Sequence, residues 1–219
     1  DIDVHHVTRV EGHGNIRVRT ADGALEQCEL QIVESPRFFE SMVRGRKWFD
    51  VPHITSRICG ICSIGHSTAA CLAIENAFGI ELSEQDQLLR RLLFDGEIMT
   101  SHILHVYFLA APDLLNADSV IPLAETHPEV VKRALRMKKL ANDLCDVLVG
   151  RHTHPVGMGP GGFHHVPRKK DLQAVRQQFV DMQDDLMATV ETIAALGAHL
   201  PNFERETEYV ALVDDKDFP

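Results

Sequence analysis

No stretch of this 219-residue sequence reaches the roughly 18 uninterrupted apolar positions of a membrane span, so no direct span is expected. The opening residues, DIDVHHVTRVEGHG, have neither a basic n-region nor an apolar h-region, and the reading is a soluble, cytoplasmic chain. Lysine and arginine form no long run, and a formal net charge of -10 lacks the basic face that phosphate backbones require; nucleic acid is not an expected partner. Disulfide staples are not expected either, because five cysteines (Cys28, Cys59, Cys62, Cys71 and Cys145) are an odd number in a chain large enough to bury its own core. Free thiols or metal ligands fit better. Repeats and low-complexity segments are also missing. The 44% hydrophobic content is that of an ordinary globular chain with one sizeable core, or at most two small domains.

The hydrophobic period changes along the chain. Ile16 and Val18, then Leu30 and Ile32, alternate on either side of the turn-forming Asp22-Gly23, which predicts a β-hairpin between Asn15 and Glu34. After Pro36 the spacing of Phe38, Phe39, Met42 and Val43 is helical, with Gly45 as a stop. Further helices are predicted from about Gly60 to Phe78, ended by Gly79, and from a Ser83/Asp86 variant of the capping box to near Pro112. Pro128 opens another, striped by Leu135, Leu140, Leu144 and Leu148, and a last one covers about Lys170 to Leu196. Between Arg151 and Pro167, four glycines, three prolines and four histidines predict an irregular loop. The fold class is therefore mainly α with a small N-terminal antiparallel β-sheet (α+β): sheet region 1–35, helical body 36–200, extended acidic tail 201–219.

Chemistry concentrates in "RICGICSIGH", residues 57 to 66. A C-x-x-C turn brings two sulfurs within reach of one ion, and Gly60 supplies the backbone freedom the turn needs. Thiolates are soft ligands suited to zinc, iron–sulfur clusters or late transition metals such as nickel. The pair alone leaves a structural zinc site and a redox dithiol open. No βαβ pattern surrounds it, which weakens the thioredoxin reading, and zinc would need two more ligands, for which His66 and Cys71 are candidates.

Five blocks taken together narrow the choice: "TRVEGHG" (8–14), "SPRFFESMVRGR" (35–46), "ITSRICGICSIGH" (54–66), "SHILHVYFLAAPDLL" (101–115) and "RHTHPVGMGPGGF" (151–163). In order and spacing the chain resembles the large subunit of nickel–iron hydrogenases, over nearly its whole length but only over the N-terminal half or so of a family member. The wording of the blocks resembles the cytoplasmic multisubunit branch (F420-non-reducing, NAD(P)-linked or heterodisulfide-reductase-linked). The resemblance implies the family's long-helix bundle and a nickel–iron centre with CO and cyanide on iron. It also implies reversible heterolytic cleavage of H2, an iron–sulfur small subunit, and an electron-accepting subunit of heterodisulfide-reductase-like or NAD(P)/flavin type. Iron–sulfur clusters, and flavin as an option, would reside in those partners, because this sequence carries no motif for either.

By the same resemblance Cys59 would be a terminal nickel ligand and Cys62 a bridge from nickel to iron. Glu11 would take the proton onward, a task for which a carboxyl beside a desolvated, thiolate-rich centre is suited. His66 would donate to the bridging sulfur, or be a core histidine satisfied by backbone; Arg57 would face the diatomic ligands, or pair with a nearby acid. Glu40 aligns with a carboxylate that helps to hold Mg2+ or another hard ion, where the alternative is a solvated helix face. His102 and His105 read as buried polar groups, Cys28, Cys71 and Cys145 as small core residues, and the loop from His152 to Phe163 as an interface near the electron-transfer subunit.

Two departures accompany the resemblance. Ser101 stands where the periplasmic type has an aspartate, so an arginine–aspartate canopy is not carried over. The second cysteine pair, in a D-P-C-x-x-C-x-x-H segment, has no counterpart after Cys145, so the C-terminal remainder of the large subunit is expected as a separate chain or as a part lost by truncation. A non-catalytic relative of the complex I type and a zinc or redox C-x-x-C module remain as alternatives; retention of both thiols argues against the first.

Overall fold

Asp22 and Gly23 both adopt positive φ, 51° and 79°, the left-handed pair that a two-residue hairpin turn demands. They join β2 (Gly14–Ala21) to β3 (Ala24–Ile32), with Ile16 opposite Leu30 and Val18 opposite Cys28. The computed structural model describes residues 1–35, 37–197, 200, 202, 204–211 and 213. Within them the expected hairpin gains a third strand, β1 (Ile2–Val4), antiparallel to β2. Three residues are too few for alternation to show in a sequence.

Cross-strand partners share a face. Ile2, Val4, Ile16, Val18, Cys28 and Leu30 therefore line one side of the sheet, and Asp3, Arg17 and Glu29 the other, where Arg17 Nε donates to Asp3 Oδ1 at 2.7 Å. The apolar side is open: Leu30 is 67% exposed, and Cys28 is exposed with it, which corrects the reading of Cys28 as a core residue.

The helical body begins with α1 (Arg37–Val43), stopped at Gly45 with φ 76°; Pro36, its expected entry, lies outside the described residues. A 3-10 turn (Trp48–Asp50) leads into α2 (Val51–Thr55). The cysteine loop follows, then α3 (Ser63–Phe78), which ends in a Schellman cap: Gly79 has φ 65°, and Ile80 N donates to Glu75 O at 2.9 Å. Ser83 Oγ accepts from Asp86 N (3.1 Å) to start α4 (Glu84–Leu104). This helix runs through a π-helical turn (His105–Ala110) into α5 (Ala111–Leu114). The wider turn accommodates Pro112, which cannot donate to the ladder and whose ring would crowd the carbonyl four residues earlier in a regular α-helix.

After α6 (Val120–Thr126), α7 (Pro128–Val149) forms the centre of the core. Leu140, Leu144, Leu148 and Val149 pack against Ile64 of α3 and Leu89 and Leu93 of α4, whereas Leu135, also placed on the apolar stripe of its helix, is exposed, as is Leu88 of α4. A Cβ at Gly96 would lie 2.9 Å from Cys145 Sγ, so glycine there sets how closely α4 and α7 approach. Cys71 and Cys145 are buried core residues, and burial pushes their thiols up to about 11 and about 12.

The loop after α7 contains a short hairpin of β4 (Met158–Gly159) and β5 (Gly162–Phe163). The single long helix expected to follow is two, α8 (Lys169–Asp181) and α9 (Gln183–Leu196). Met182 leaves helical geometry at the junction and packs against both hydrophobic clusters. Pro201, Phe203, Leu212 and residues 214–219 of the expected tail lie outside the described residues; its described residues are exposed and without regular structure.

Candidate metal centre

Three pieces of chain converge beside the cysteine loop. The connection between β1 and β2 carries Glu11, the loop between α2 and α3 carries Cys59 and Cys62, and α4 with its π-helical turn contributes Ser101 and His105. Together with Arg9 they line a cavity of about 270 Å³. Cys59 is buried and accepts a hydrogen bond at Sγ from Cys62 N (3.3 Å), while its own thiol donates to Glu11 Oε1 (3.3 Å). Both cysteines are free thiols.

Cys62 closes the loop and caps α3. Its thiol is pushed up to about 12, first by burial, then by its contact with Cys59 and by the acidic side chains of Glu97 and Glu11 nearby. At neutral pH it holds its proton, so a cation that binds there must displace it.

Two contacts from distant segments fix the loop. Glu97 of α4 is buried and accepts from Ile64 N (2.7 Å) and Gly65 N (2.9 Å), satisfying the open N–H groups in the first turn of α3. Burial raises the Glu97 carboxyl, and those two N–H groups offset only part of the rise. His154 spans both flanks of the cysteine motif: its backbone N donates to Ser63 Oγ (2.9 Å), and its Nδ1 lies 2.8 Å from Ser56 O. A carbonyl can only accept, so Nδ1 carries the proton.

Glu11, Cys59 and Cys62 are thus brought together. His66 is not among them: it lines a neighbouring cavity of about 610 Å³ with Glu34, Phe38, Phe39 and Ile58. Arg57 is exposed. Glu40, on α1, is flanked by Arg37 (3.1 Å) and Arg44 (3.6 Å), cations that compete with a metal ion for the same carboxylate. His102 and His105 are both exposed, which corrects their reading as buried groups; His105 reaches the thiol cavity and His102 an apolar one on another side of α4. Sequence reasoning missed Arg9, Glu97 and His154 as parts of the site. Only Glu97 left a signal, an acidic residue four positions after Leu93 on the apolar stripe of α4.

Among the described residues no group of three or more His, Cys, Asp or Glu side chains could hold a metal ion. The donor set on this chain is one pair of soft sulfurs with an adjacent carboxylate. That pair suits part of a thiolate-rich site completed by other ligands.

The profile of a family described as "Nickel-dependent hydrogenase" matches residues 37–132, and one described as "HoxL-like" matches residues 1–35. The chain is 39% identical to the alpha subunit of sulfhydrogenase 2 from Pyrococcus furiosus over 176 residues, 80% of this chain and 43% of that protein. It is 34% identical to a subunit of the F420-non-reducing hydrogenase of Methanothermobacter thermautotrophicus over 218 residues, 93% of this chain and 44% of the relative. A solved NAD+-reducing [NiFe]-hydrogenase in the H2-reduced state superposes with a TM-score of 0.84 at 28% identity, over 90% of this chain and 46% of that one. The chain therefore spans less than half the length of the relatives it matches.

Proposed function

Because the chain belongs to the nickel-dependent hydrogenase family, as the N-terminal portion of a large subunit, we propose that it contributes half of a nickel–iron site for the reversible conversion of H2 into two protons and two electrons. When bound, that centre with its CO and cyanide ligands supplies the heterolytic cleavage. Cys59 and Cys62 would hold it from this side, and the remaining thiolates would come from the C-terminal remainder of the large subunit. The observation that carries the reading is the placement of Cys59 Sγ between the Cys62 N–H and the Glu11 carboxylate.

The residues of this chain then divide the work. Cys59 and Cys62 bind as thiolates, and loading releases their protons. In turnover the Cys59 thiolate would take up a proton released from H2, and Glu11 Oε1, within hydrogen-bond reach of Cys59 Sγ, would accept it from the sulfur and pass it outward. Electrons would leave through an iron–sulfur small subunit to a heterodisulfide-reductase-like or NAD(P)/flavin module in the cytoplasm. Glu40 would serve a Mg2+ site only by exchanging its arginine partners for the ion.

Two measurements test this. Infrared spectra of the complex purified anaerobically from its native source should show stretches of metal-bound CO and cyanide, with nickel and iron in the protein. Zinc alone, without those bands, would favour a structural C-x-x-C site instead. In the same complex Glu11→Gln is expected to keep both metals and to slow isotope exchange between D2 and water by about 10²–10⁴-fold, the usual weight of a positioned acid–base group. An unchanged exchange rate would remove Glu11 from the proton path.

A further inference from the structure

We propose that Arg9 holds Glu11 at its working distance from Cys59, by fastening the β1–β2 connection to the end of the α4–α5 column; the inference rests on the proton role of Glu11 given above. Most ties of this connection run to its own sheet region. Val7 N donates to Gly14 O (2.9 Å), His6 N to Asn15 Oδ1 (3.2 Å), and His13 Nδ1 lies 2.8 Å from Glu34 Oε1. None of these fixes Glu11 relative to the cysteine loop, which belongs to the helical body. Arg9 crosses that gap. Its Nε donates to Asp113 Oδ1 in α5 (3.3 Å), and its Nη2 donates to the backbone carbonyl of Asp118, just before α6 (3.0 Å).

The backbone is arranged for that reach. Arg9 has φ 65°, a left-handed conformation that a residue with a Cβ keeps only where its surroundings over-determine it. From there the guanidinium points to α5 while Glu11, two residues on, points to Cys59, and Gly12, at φ 86°, turns the chain back toward β2 after them. The column that Arg9 grips also carries Ser101 and His105 into the same cavity, so base, sulfur and cavity wall share one frame. A fork of fixed N–H directions can bind a carboxylate and a carbonyl at once, which a lysine ammonium does less well. The ion pair lies at the rim, with side chains 29% and 59% exposed, so its weight in overall stability is small and its effect should appear at Glu11.

The test uses the intact metal-loaded complex with Arg9→Ala, Arg9→Lys and Asp113→Asn, each alone and combined with Glu11→Gln. Asp113→Asn removes the ion pair from the helix side and serves if Arg9→Ala does not assemble. Expected for Arg9→Ala are unchanged CO and cyanide bands, faster amide hydrogen exchange across residues 7–13, and D2–water exchange slowed about 10- to 100-fold, the cost of an ångström-scale misplacement. Arg9→Lys should recover part of that rate, and Arg9→Ala should add nothing in the Glu11→Gln background, because it acts through Glu11. Wild-type rates in Arg9→Ala and Asp113→Asn alongside a slow Glu11→Gln, or full additivity in the double variant, would overturn the inference and leave the function standing. Wild-type rates in Glu11→Gln as well would overturn both.

Discussion

Arg90→Ala is expected to destabilise the chain by about 3–5 kcal/mol, the range for stripping one partner from a buried ion pair. Arg90 of α4 and Glu75 of α3 have side chains only 7% and 4% exposed, and two guanidinium nitrogens meet the two carboxylate oxygens at 2.7 and 2.6 Å. The pair also fastens the glycine-rich loop. Arg90 Nη2 donates to Gly159 O (3.0 Å), and Glu75 Oε1 accepts from Gly161 N (2.7 Å). Truncation would leave the Glu75 charge buried beside the Gly161 N–H, without its counter-ion, and would free Gly159 O. Replacing both partners, as Arg90→Met with Glu75→Leu, removes the buried charge and should cost less, although each loop group left unpaired still costs about 1–3 kcal/mol.

The same variant should reverse the response to acid. Burial alone would raise the Glu75 carboxyl, but the Arg90 hydrogen bonds, the Gly161 N–H and the Arg90 charge hold it below the ordinary 4.5. A lowered folded-state pKa gives stability that is present above the unfolded value and is lost as pH falls through the folded one. Without Arg90, burial is opposed only by the Gly161 N–H, and the carboxyl is expected to shift upward instead. The stability linked to Glu75 is then greatest in acid and is lost as pH rises through the raised value. Urea midpoints across the acid-to-neutral range, followed by far-UV circular dichroism, should show the wild-type contribution rising with pH and the variant's falling. Parallel profiles for the two proteins would show that the pair carries no such linkage.

Local patterns made much of the fold legible. The turn at Asp22-Gly23, the stops at Gly45 and Gly79, and the helix opened by Pro128 each depend on residues within one or two turns of one another. What escaped depends on distance or brevity. The three residues of β1 are recognised only against β2, and the break at Met182 serves two clusters that form only in the folded chain. Cys28 follows a core-like alternation, yet lies on a sheet face that the described residues leave open. The pairing of Glu11 with Cys59 spans 48 residues and that of His154 with Ser56 spans 98. Periodicity cannot place such partners, and only the resemblance of whole blocks drew Glu11 and the cysteines into one centre. Arg9, Glu97 and His154 act on that centre without being its ligands, so no ligand spacing marked them.

Glu97→Ala is expected to weaken both the fold and the metal centre, because one carboxylate serves both. It supplies two acceptors to Ile64 N and Gly65 N, and without them the first turn of α3 loses its satisfied N–H groups immediately after Cys62. A loss of about 2–4 kcal/mol follows from stranding one buried and one half-buried donor, moderated by the removal of a buried charge. The linkage runs opposite to that of Glu75. Burial raises Glu97 above 4.5, so the folded state favours its protonated form, and the stability this gives is present below the unfolded value and lost as pH rises through the folded one. Glu97→Ala should therefore lower the urea midpoint at every pH while flattening the decline above about 4.5. In the native complex nickel occupancy should fall with it, since the turn that orients Cys62 is no longer held. Glu97→Gln keeps one carbonyl oxygen for one of the two N–H groups and should fall between. A wild-type midpoint together with full nickel occupancy in Glu97→Ala would show that α3 holds its first turn, and Cys62 with it, without help from α4.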